Sequence, residues 1–258
     1  MTTQLHTVNL SLGYQKPLIT DLNLTLPEKT LICLIGRNGA GKSTLLRTLA
    51  GMKKPLAGNV FLDGKMMSKM SGKEIAKRLS IVLTDPVKAS YMTVEDLVMF
   101  GRYPHFGGQV KITPDDDAIV SSAIHNVGIE HLKTRQLTTL SDGERQKAVL
   151  ARSIAQQTDF IILDEPAAFL DFLSKIELMR LLKNLAKKHA KAILLSTHDI
   201  EMSIAISDVL WLIDNQNNII TGTPEELIEN NTIGNTFNVP SAFFKQTFQY
   251  YKSVYRSL

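Results

Sequence analysis

The most informative stretch of the sequence is Gly36-Arg37-Asn38-Gly39-Ala40-Gly41-Lys42-Ser43, which directly follows the apolar run Leu31–Ile35. It fits the phosphate-loop pattern, in which a glycine and four further residues precede Gly-Lys-Ser. Its glycines let the backbone turn tightly, so that consecutive N–H groups point inward and form a nest for an anion. The stretch therefore predicts a phosphate-binding turn between a strand and a helix, with Lys42 reaching the phosphates and Ser43 available to Mg²⁺.

The segments on either side of this turn indicate an α/β protein. Leu31–Ile35 is continuously apolar, as expected of a strand that is buried on both faces. Similar runs follow, separated by helical patterns such as Ser174–His189: Phe160–Leu163, Ala192–Leu195 and Val209–Ile213. Strands that alternate with helices predict a parallel sheet with right-handed crossovers. The chain up to about Leu26 alternates polar and apolar residues instead, which predicts half-buried strands.

Residues from about 85 to 150 contain helix starts and no strong strand. Thr93 and Asp96 have capping-box spacing, and Thr113-Pro114-Asp115-Asp116 places a cap before a first-turn proline. We expect an inserted helical subdomain at about 85–150, a core at about 1–84 and 151–225, and a C-terminal extension at about 226–258, all within one domain.

Composition excludes several classes of protein. The chain has 258 residues, 44% of them hydrophobic and 21% charged, which is typical of a globular protein. Its longest apolar runs have five residues, whereas a membrane span needs about 20, and no signal peptide is visible at the N-terminus. The single cysteine, Cys33, excludes a disulfide framework. The net charge of +4 does not by itself indicate nucleic-acid binding, and attraction to an anionic membrane surface explains it equally well.

Two further motifs carry candidate chemistry. Asp164 and Glu165 end the buried strand at Phe160–Leu163, so Asp164 would hold Mg²⁺ and Glu165 would orient an attacking water as general base. In Leu140-Ser141-Asp142-Gly143-Glu144, Ser141 and Glu144 have capping-box spacing. That pattern predicts a helix N-terminus, whose free N–H groups would form a second anion site.

Together these motifs resemble the ATP-binding cassette family from end to end. Leu140–Glu144 resembles the signature Leu-Ser-Gly-Gly-Gln, Ser196-Thr197-His198-Asp199 resembles the switch-histidine segment, and Ala168-Phe169-Leu170-Asp171 resembles the segment across which two cassettes touch. The resemblance implies a RecA-like P-loop NTPase core with an N-terminal antiparallel β subdomain and an inserted α-helical subdomain. It also implies an ATPase homodimer in which each ATP lies between the phosphate loop of one subunit and the signature helix of the other.

The resemblance assigns roles to residues at matching positions. Glu165, His198 and Lys42 would be catalytic, and Ser43, Asp164 and Thr84 would hold Mg²⁺. ATP would contact the following residues: Tyr14, Gly36, Arg37, Asn38, Gly39, Ala40, Gly41, Lys42, Ser43, Thr44, Ser141, Gly143, Glu144 and Asp171.

The chain departs from the family pattern in three segments. Thr84 stands where glutamine is usual, Asp142 and Glu144 replace glycine and glutamine in the signature, and Ala168-Phe169 replaces Ser-Ala. We expect the Asp142 side chain to point away from the nucleotide. Because Lys42, Asp164, Glu165 and His198 are all present, we still expect ATP hydrolysis.

The run Gly101-Arg102-Tyr103-Pro104-His105 resembles importer ATPases for ferric siderophore, haem and cobalamin. The resemblance implies a transmembrane permease as partner, indirect cooperation with a periplasmic or surface substrate-binding protein, a peripheral position on the cytoplasmic face of the cell membrane, and no nucleic-acid partner. Tyr103–Phe106 is predicted to help dock the permease, whereas Met99 and Phe100 are interpreted as core. The alternatives are a soluble ribosome- or DNA-associated cassette, an exporter ATPase, and a weakly hydrolysing, nucleotide-gated assembly module.

Overall fold

The protein contains two β-sheets, seen in a computed structural model that describes residues 4–83, 91–107 and 111–256. Its strands in chain order are β1 (Gln4–Gly13), β2 (Pro17–Leu22), β3 (Thr25–Pro27), β4 (Leu31–Gly36), β5 (Ala57–Leu62), β6 (Lys65–Met66), β7 (Leu79–Val82), β8 (Phe160–Asp164), β9 (Ala192–Ser196), β10 (Val209–Ile213) and β11 (Ile219–Gly222).

The larger sheet has the order β11-β10-β4-β9-β8-β7 within the described residues. Its strands from β10 to β7 are parallel, and β11 is antiparallel to β10. The smaller sheet is antiparallel, with the order β2-β1-β5-β6 and with β3 also paired to β1. The predicted parallel core and N-terminal antiparallel subdomain are thus confirmed.

The helices lie mainly between strands of the larger sheet and in the segment that follows β7. They are α1 (Lys42–Leu49), α2 (Gly72–Ala76), α3 (Val94–Met99), α4 (Pro114–Asn126), α5 (Asp142–Ala155), α6 (Phe172–Lys188), α7 (Ile200–Ile206), α8 (Pro224–Glu229), α9 (Thr232–Phe237) and α10 (Ser241–Arg256). Capping boxes begin α3, α4 and α5 at the residues that the sequence indicates, and another capping box begins α8. In the described part of 91–150, the only β-pairing is an isolated bridge between Thr93 and Gln136, so that segment is helical as predicted.

Strand β4 explains why its sequence is apolar at every position. Leu31, Cys33 and Ile35 belong to one hydrophobic cluster, which includes the helices α3 to α6. Ile32 and Leu34 belong to a second cluster, shared with α1 and the smaller sheet. Successive side chains of a strand point to opposite faces, so both faces of the larger sheet are covered. The phosphate-loop turn follows β4 at the middle of this sheet.

The C-terminal extension packs against its own domain. Phe244 and Phe248 of α10 are buried in the first cluster, whereas Phe243 and Tyr250 are exposed. The side chains of Tyr251 and Tyr255, which share the same helical spacing, lie outside the described part. Within the described residues, no helix is both long enough and apolar enough to cross a bilayer.

Candidate active site

The phosphate loop leaves β4 at Gly36 and enters α1 at Lys42. Gly39 and Gly41 have φ angles of 80° and 103°, a region that L-residues with a Cβ seldom adopt. A Cβ on Gly41 would also lie 2.6 Å from Leu18 Cδ2, whereas a Cβ on Gly39 would meet nothing within 4 Å. The loop is therefore tight on the side of β2 and has free space beside Gly39.

Lys42 holds this loop together from within. Its side chain crosses the turn, and Nζ donates to the carbonyl oxygens of Gly36, at 2.8 Å, and Arg37, at 3.3 Å. Burial lowers the pKa of Lys42, and the charges of Glu165 and Asp164 oppose that effect. A cation is thus placed within the turn that the sequence predicts to be an anion nest, and this arrangement suits a polyanion.

Two carboxylates lie where β8 ends, beside the loop. Asp164 is 3% exposed and accepts a hydrogen bond from Ser196 Oγ at 2.6 Å. Glu165 follows with φ of 51°, and its Oε2 lies 2.7 Å from Nδ1 of His198. The imidazole remains largely exposed, with 62% of the side chain accessible. The structure thus brings Lys42, Asp164, Glu165 and His198 into one site.

Tyr14 lies just after β1 and is 74% exposed. The Nζ atom of Lys53 lies 3.1 Å from the centre of its ring, a cation–π contact that the sequence did not suggest. One face of the ring is therefore covered by a cation. Thr84, the third predicted magnesium ligand, lies outside the described residues.

The signature residues lie in a different cleft. Ser141 caps α5, where Glu144 Oε2 accepts hydrogen bonds from the N–H and the hydroxyl of Ser141 at 2.8 and 3.0 Å. Asp142 pairs with Arg145 at 2.8 Å. Asp171 caps α6 by accepting from the N–H of Ser174. Ser141, Gly143, Glu144 and Asp171 line a cleft of about 440 Å³ that includes no residue of the phosphate loop.

The run Gly101–His105, here called the bracket, packs against the C-terminal end of α5. A Cβ on Gly101 would lie 2.3 Å from the carbonyl oxygen of Arg152, so only glycine fits there. Arg102 is 6% exposed and donates to Asp116 Oδ1 and to the Ala155 carbonyl, at 2.9 and 2.8 Å. His105 Nε2 lies 2.8 Å from the Gln156 carbonyl oxygen. The bracket therefore attaches residues 101–105 to α5, the helix that begins at the signature.

Exposed aromatic residues border this bracket. A groove of about 430 Å³, here called the aromatic groove, is lined by Tyr91, Met92, Asp96, Met99, Phe100, Tyr103, Phe106 and Ile112. The interpretation of Phe100 as core is wrong, because its side chain is 39% exposed. Phe106 is 8% exposed and stacks edge-on against Tyr103, which is 45% exposed.

Two contacts at the nucleotide end were missed by the sequence reasoning. Ser196 belongs to the quoted histidine segment, yet its link to Asp164 depends on strand register. Arg37 donates from Nη2 to the carbonyl oxygen of Thr236 in α9 at 3.1 Å, across 199 residues. Local sequence carries no signal for either contact.

Comparison with known proteins identifies the family of this chain. A family model described as ABC transporter matches residues 19–168, more than half of the chain. The chain belongs to the ABC transporter family. Its fold and its ATPase class, expected from the motifs, are thereby confirmed.

Individual ABC proteins extend this result. The chain is 34% identical to the iron(3+)-hydroxamate import ATP-binding protein FhuC of Bacillus subtilis (strain 168), over 91% of this chain and 88% of the relative. It is 35% identical to the achromobactin transport ATP-binding protein CbrD of Dickeya dadantii (strain 3937), over 91% and 90%. A structure described as an inward-facing, metal-chelate type ABC transporter contains a chain that is 27% identical, with a TM-score of 0.80, over 92% of this chain and 90% of that one.

Proposed function

We propose that this chain hydrolyses ATP as the energy-coupling subunit of a membrane importer for an iron chelate. One observation carries the ATP chemistry: the buried Lys42 ammonium lies within the phosphate-loop turn and interacts with Asp164 and Glu165. The relatives FhuC and CbrD, matched over about nine tenths of this chain, support import of a ferric siderophore. Haem and cobalamin remain the other cargoes that the Gly101–His105 motif suggests.

The proposed roles follow from position. Gly36–Thr44 bind the phosphates, and Lys42 neutralises them. Glu165 orients the attacking water, His198 contacts the γ-phosphate, and Tyr14 stacks on the adenine. The 2.7 Å contact between Glu165 and His198 supports the two roles together, because a general base must be held within reach of its water.

The donor set fits Mg²⁺ bound with a nucleotide. Among the described residues, no group of three or more His, Cys, Asp or Glu side chains surrounds a common point. Mg²⁺ is commonly held by one or two protein oxygens, substrate phosphates and water, and Ser43 and Asp164 supply such oxygens. Thr84 is the third proposed ligand. Bound Mg²⁺ would neutralise charge that develops on the phosphates.

The signature cleft supports a homodimer. Ser141, Gly143, Glu144 and Asp171 line a cleft apart from the phosphate loop, so one chain does not assemble both halves of the expected site. We propose that a second copy completes it, with ATP sandwiched between the two copies.

The aromatic groove supports a permease partner. Tyr103 and Phe100 are large, exposed and adjacent, with ring centroids 4.7 Å apart, and the bracket ties their segment to α5. The proposed position is therefore peripheral, on the cytoplasmic face of the cell membrane. A substrate-binding protein would act through the permease, and no nucleic acid is involved. We retain the proposed core, helical subdomain and C-terminal extension at the boundaries given above.

The test is capture from native membranes in the presence of ATP. A tagged Glu165→Gln chain should retain a multi-span permease, and the Lys42→Ala chain should retain much less because it does not bind ATP productively. The permease and its neighbours would identify the cargo. Ribosomal or DNA-repair proteins in place of a permease would contradict the importer proposal, and a purified parent chain without ATPase activity would favour the assembly module.

A further inference from the structure

A buried hydroxyl links the carboxylate of Asp164 to the backbone N–H of Glu165 at the end of β8. Ser196 is the last residue of β9, is fully buried, and lies in register with Asp164. Its Oγ donates to Asp164 Oδ1 at 2.6 Å and accepts from the N–H of Glu165 at 3.0 Å. A serine hydroxyl has one proton. Because Oγ accepts the hydrogen bond from Glu165 N–H, its own proton is directed toward Asp164.

These two contacts restrain different parts of the site. A donor on Oδ1 fixes the plane of the Asp164 carboxylate. The backbone of Glu165 is in the left-handed region, at φ 51°, which is uncommon for a residue with a Cβ. Its N–H donates to both Oγ and the carbonyl oxygen of Ser196, at 3.0 and 3.2 Å. Ser196 thus stabilises the turn that presents the Glu165 side chain to His198.

We propose that Ser196 is a positioning residue for ATP hydrolysis, which orients Asp164 toward Mg²⁺ and holds Glu165 in its turn. The proposal rests on the proposed roles of Asp164 as metal ligand and Glu165 as general base. Residues that orient a metal ligand commonly change metal affinity when they are replaced. A hydroxyl that only satisfies buried polar groups would change stability and leave metal affinity unaltered.

Ser80 provides a matched control on β7, the strand on the other side of β8 from Ser196. It is 1% exposed, its Oγ lies 2.8 Å from Ser153 Oγ, and it accepts from Thr158 Oγ1 at 3.1 Å. Its partner across the sheet is Ile161, three residues before Asp164. Ser80→Ala therefore removes a buried, hydrogen-bonded hydroxyl from the same sheet without removing a contact to Asp164 or Glu165.

The experiment compares the parent chain with Ser196→Ala, Ser196→Thr and Ser80→Ala. Mn²⁺ is the probe, and its dissociation constant in the presence of ATP is measured by electron paramagnetic resonance. The Mg²⁺ concentration for half-maximal ATPase activity is the second readout. Ser196→Ala should raise both values about tenfold, whereas Ser196→Thr and Ser80→Ala should stay within about twofold of the parent. Affinity for ATP without metal should change less than about twofold in every variant, since no phosphate contact is lost.

A fourth variant, Ser196→Cys, keeps the test possible if Ser196→Ala does not fold. Ser196→Cys retains most of the volume but offers only a weak S–H donor, so it should raise both metal values in the same direction. If Ser196→Ala or Ser196→Cys matches Ser80→Ala in Mn²⁺ affinity, the inference is overturned. Equal losses in Ser196→Thr and Ser196→Ala would overturn it too, because the hydroxyl would then not matter. A parent chain that binds no Mn²⁺ with ATP would refute the proposed function itself.

Discussion

At the scale of single residues, the contact between Glu165 and His198 carries the clearest consequence. If Glu165 orients the attacking water, Glu165→Gln should lower kcat about 100-fold or more, since the amide cannot take a proton. ATP affinity should remain close to that of the parent, because the phosphate nest and Lys42 are unchanged. Turnover in a purified-chain ATPase assay, together with equilibrium binding of ATP, measures both quantities.

Glu229→Gln is the matched control for this prediction. Glu229 is exposed at the end of α8, so its replacement removes one carboxylate outside the site and should leave turnover unchanged. Undiminished turnover in Glu165→Gln would exclude Glu165 as the base.

The residues of the site differ in how far local sequence predicts them. The phosphate loop is a contiguous motif whose geometry depends on nearby glycines, so Gly36–Ser43 follow from the sequence alone. Ser196 contacts Asp164 only because β8 and β9 pair with that register. Likewise, Lys53 contacts Tyr14 only because the fold brings together two loops that are distant in the sequence. Contacts of this second kind depend on tertiary structure, which composition and spacing do not contain.

At the scale of elements, the buried pair between Arg102 and Asp116 joins the bracket to α4. Their side chains are 7% and 10% exposed. Arg102→Met should lower the free energy of unfolding by about 3–5 kcal/mol, because it leaves Asp116 buried without its cation. Urea denaturation measures the loss.

Arg78→Met is the control, since Arg78 also contacts carboxylates but its side chain is 42% exposed. It should cost about 1 kcal/mol or less. Equal losses in the two variants would contradict the bracket as a buried structural element.

Asp116 also predicts how this element responds to acid. Hydrogen bonds from Thr113, and then from Arg102, lower the pKa of Asp116. A carboxyl group whose pKa is lowered in the folded state stabilises the protein at pH values above its pKa in the unfolded state, which is about 4. This contribution is lost as the pH falls through the pKa of the group in the folded state. The difference in unfolding free energy between the parent and Asp116→Asn should therefore be largest at neutral pH and shrink below about pH 4.

Urea denaturation from pH 7 to pH 3 measures that difference. A difference that stays constant over the whole range would mean that the charge of Asp116 does not stabilise α4.

Elements were predicted well where their own residues define them. Thr113 and Asp116 form a capping box by spacing alone, and α4 begins there. The exposure of Phe100 was not predictable from the sequence. Whether an apolar residue of a helical pattern is buried or exposed depends on which other residues pack over it. Here Phe100 lines the aromatic groove.

At the scale of the whole molecule, the aromatic groove predicts a separation of ATPase activity from transport. Phe100→Ser with Tyr103→Ser should reduce permease recovery about tenfold or more, because exposed aromatic anchors dominate docking surfaces. The ATPase activity of the isolated chain should stay within about twofold, since both side chains line a groove that includes no residue of the phosphate loop. Co-purification from membranes and iron-chelate uptake measure the coupling.

Phe243→Ala is the control, as Phe243 is 48% exposed but belongs to α10 and not to the groove. Normal uptake in the double variant would rule out the groove as the docking surface.

The order of strands in the larger sheet has a consequence for synthesis on the ribosome. Strand β4 lies between β9 and β10, and its pairs join Leu31 to Ile193 and Ile32 to Val209. Both neighbours are therefore made more than 150 residues after β4. Until they emerge, a wholly apolar strand next to the phosphate loop has no sheet partner, and such segments are prone to aggregation. We therefore expect the nascent chain to need protection by chaperones until β9 and β10 have been made, and ATP to stabilise the protein only after that point.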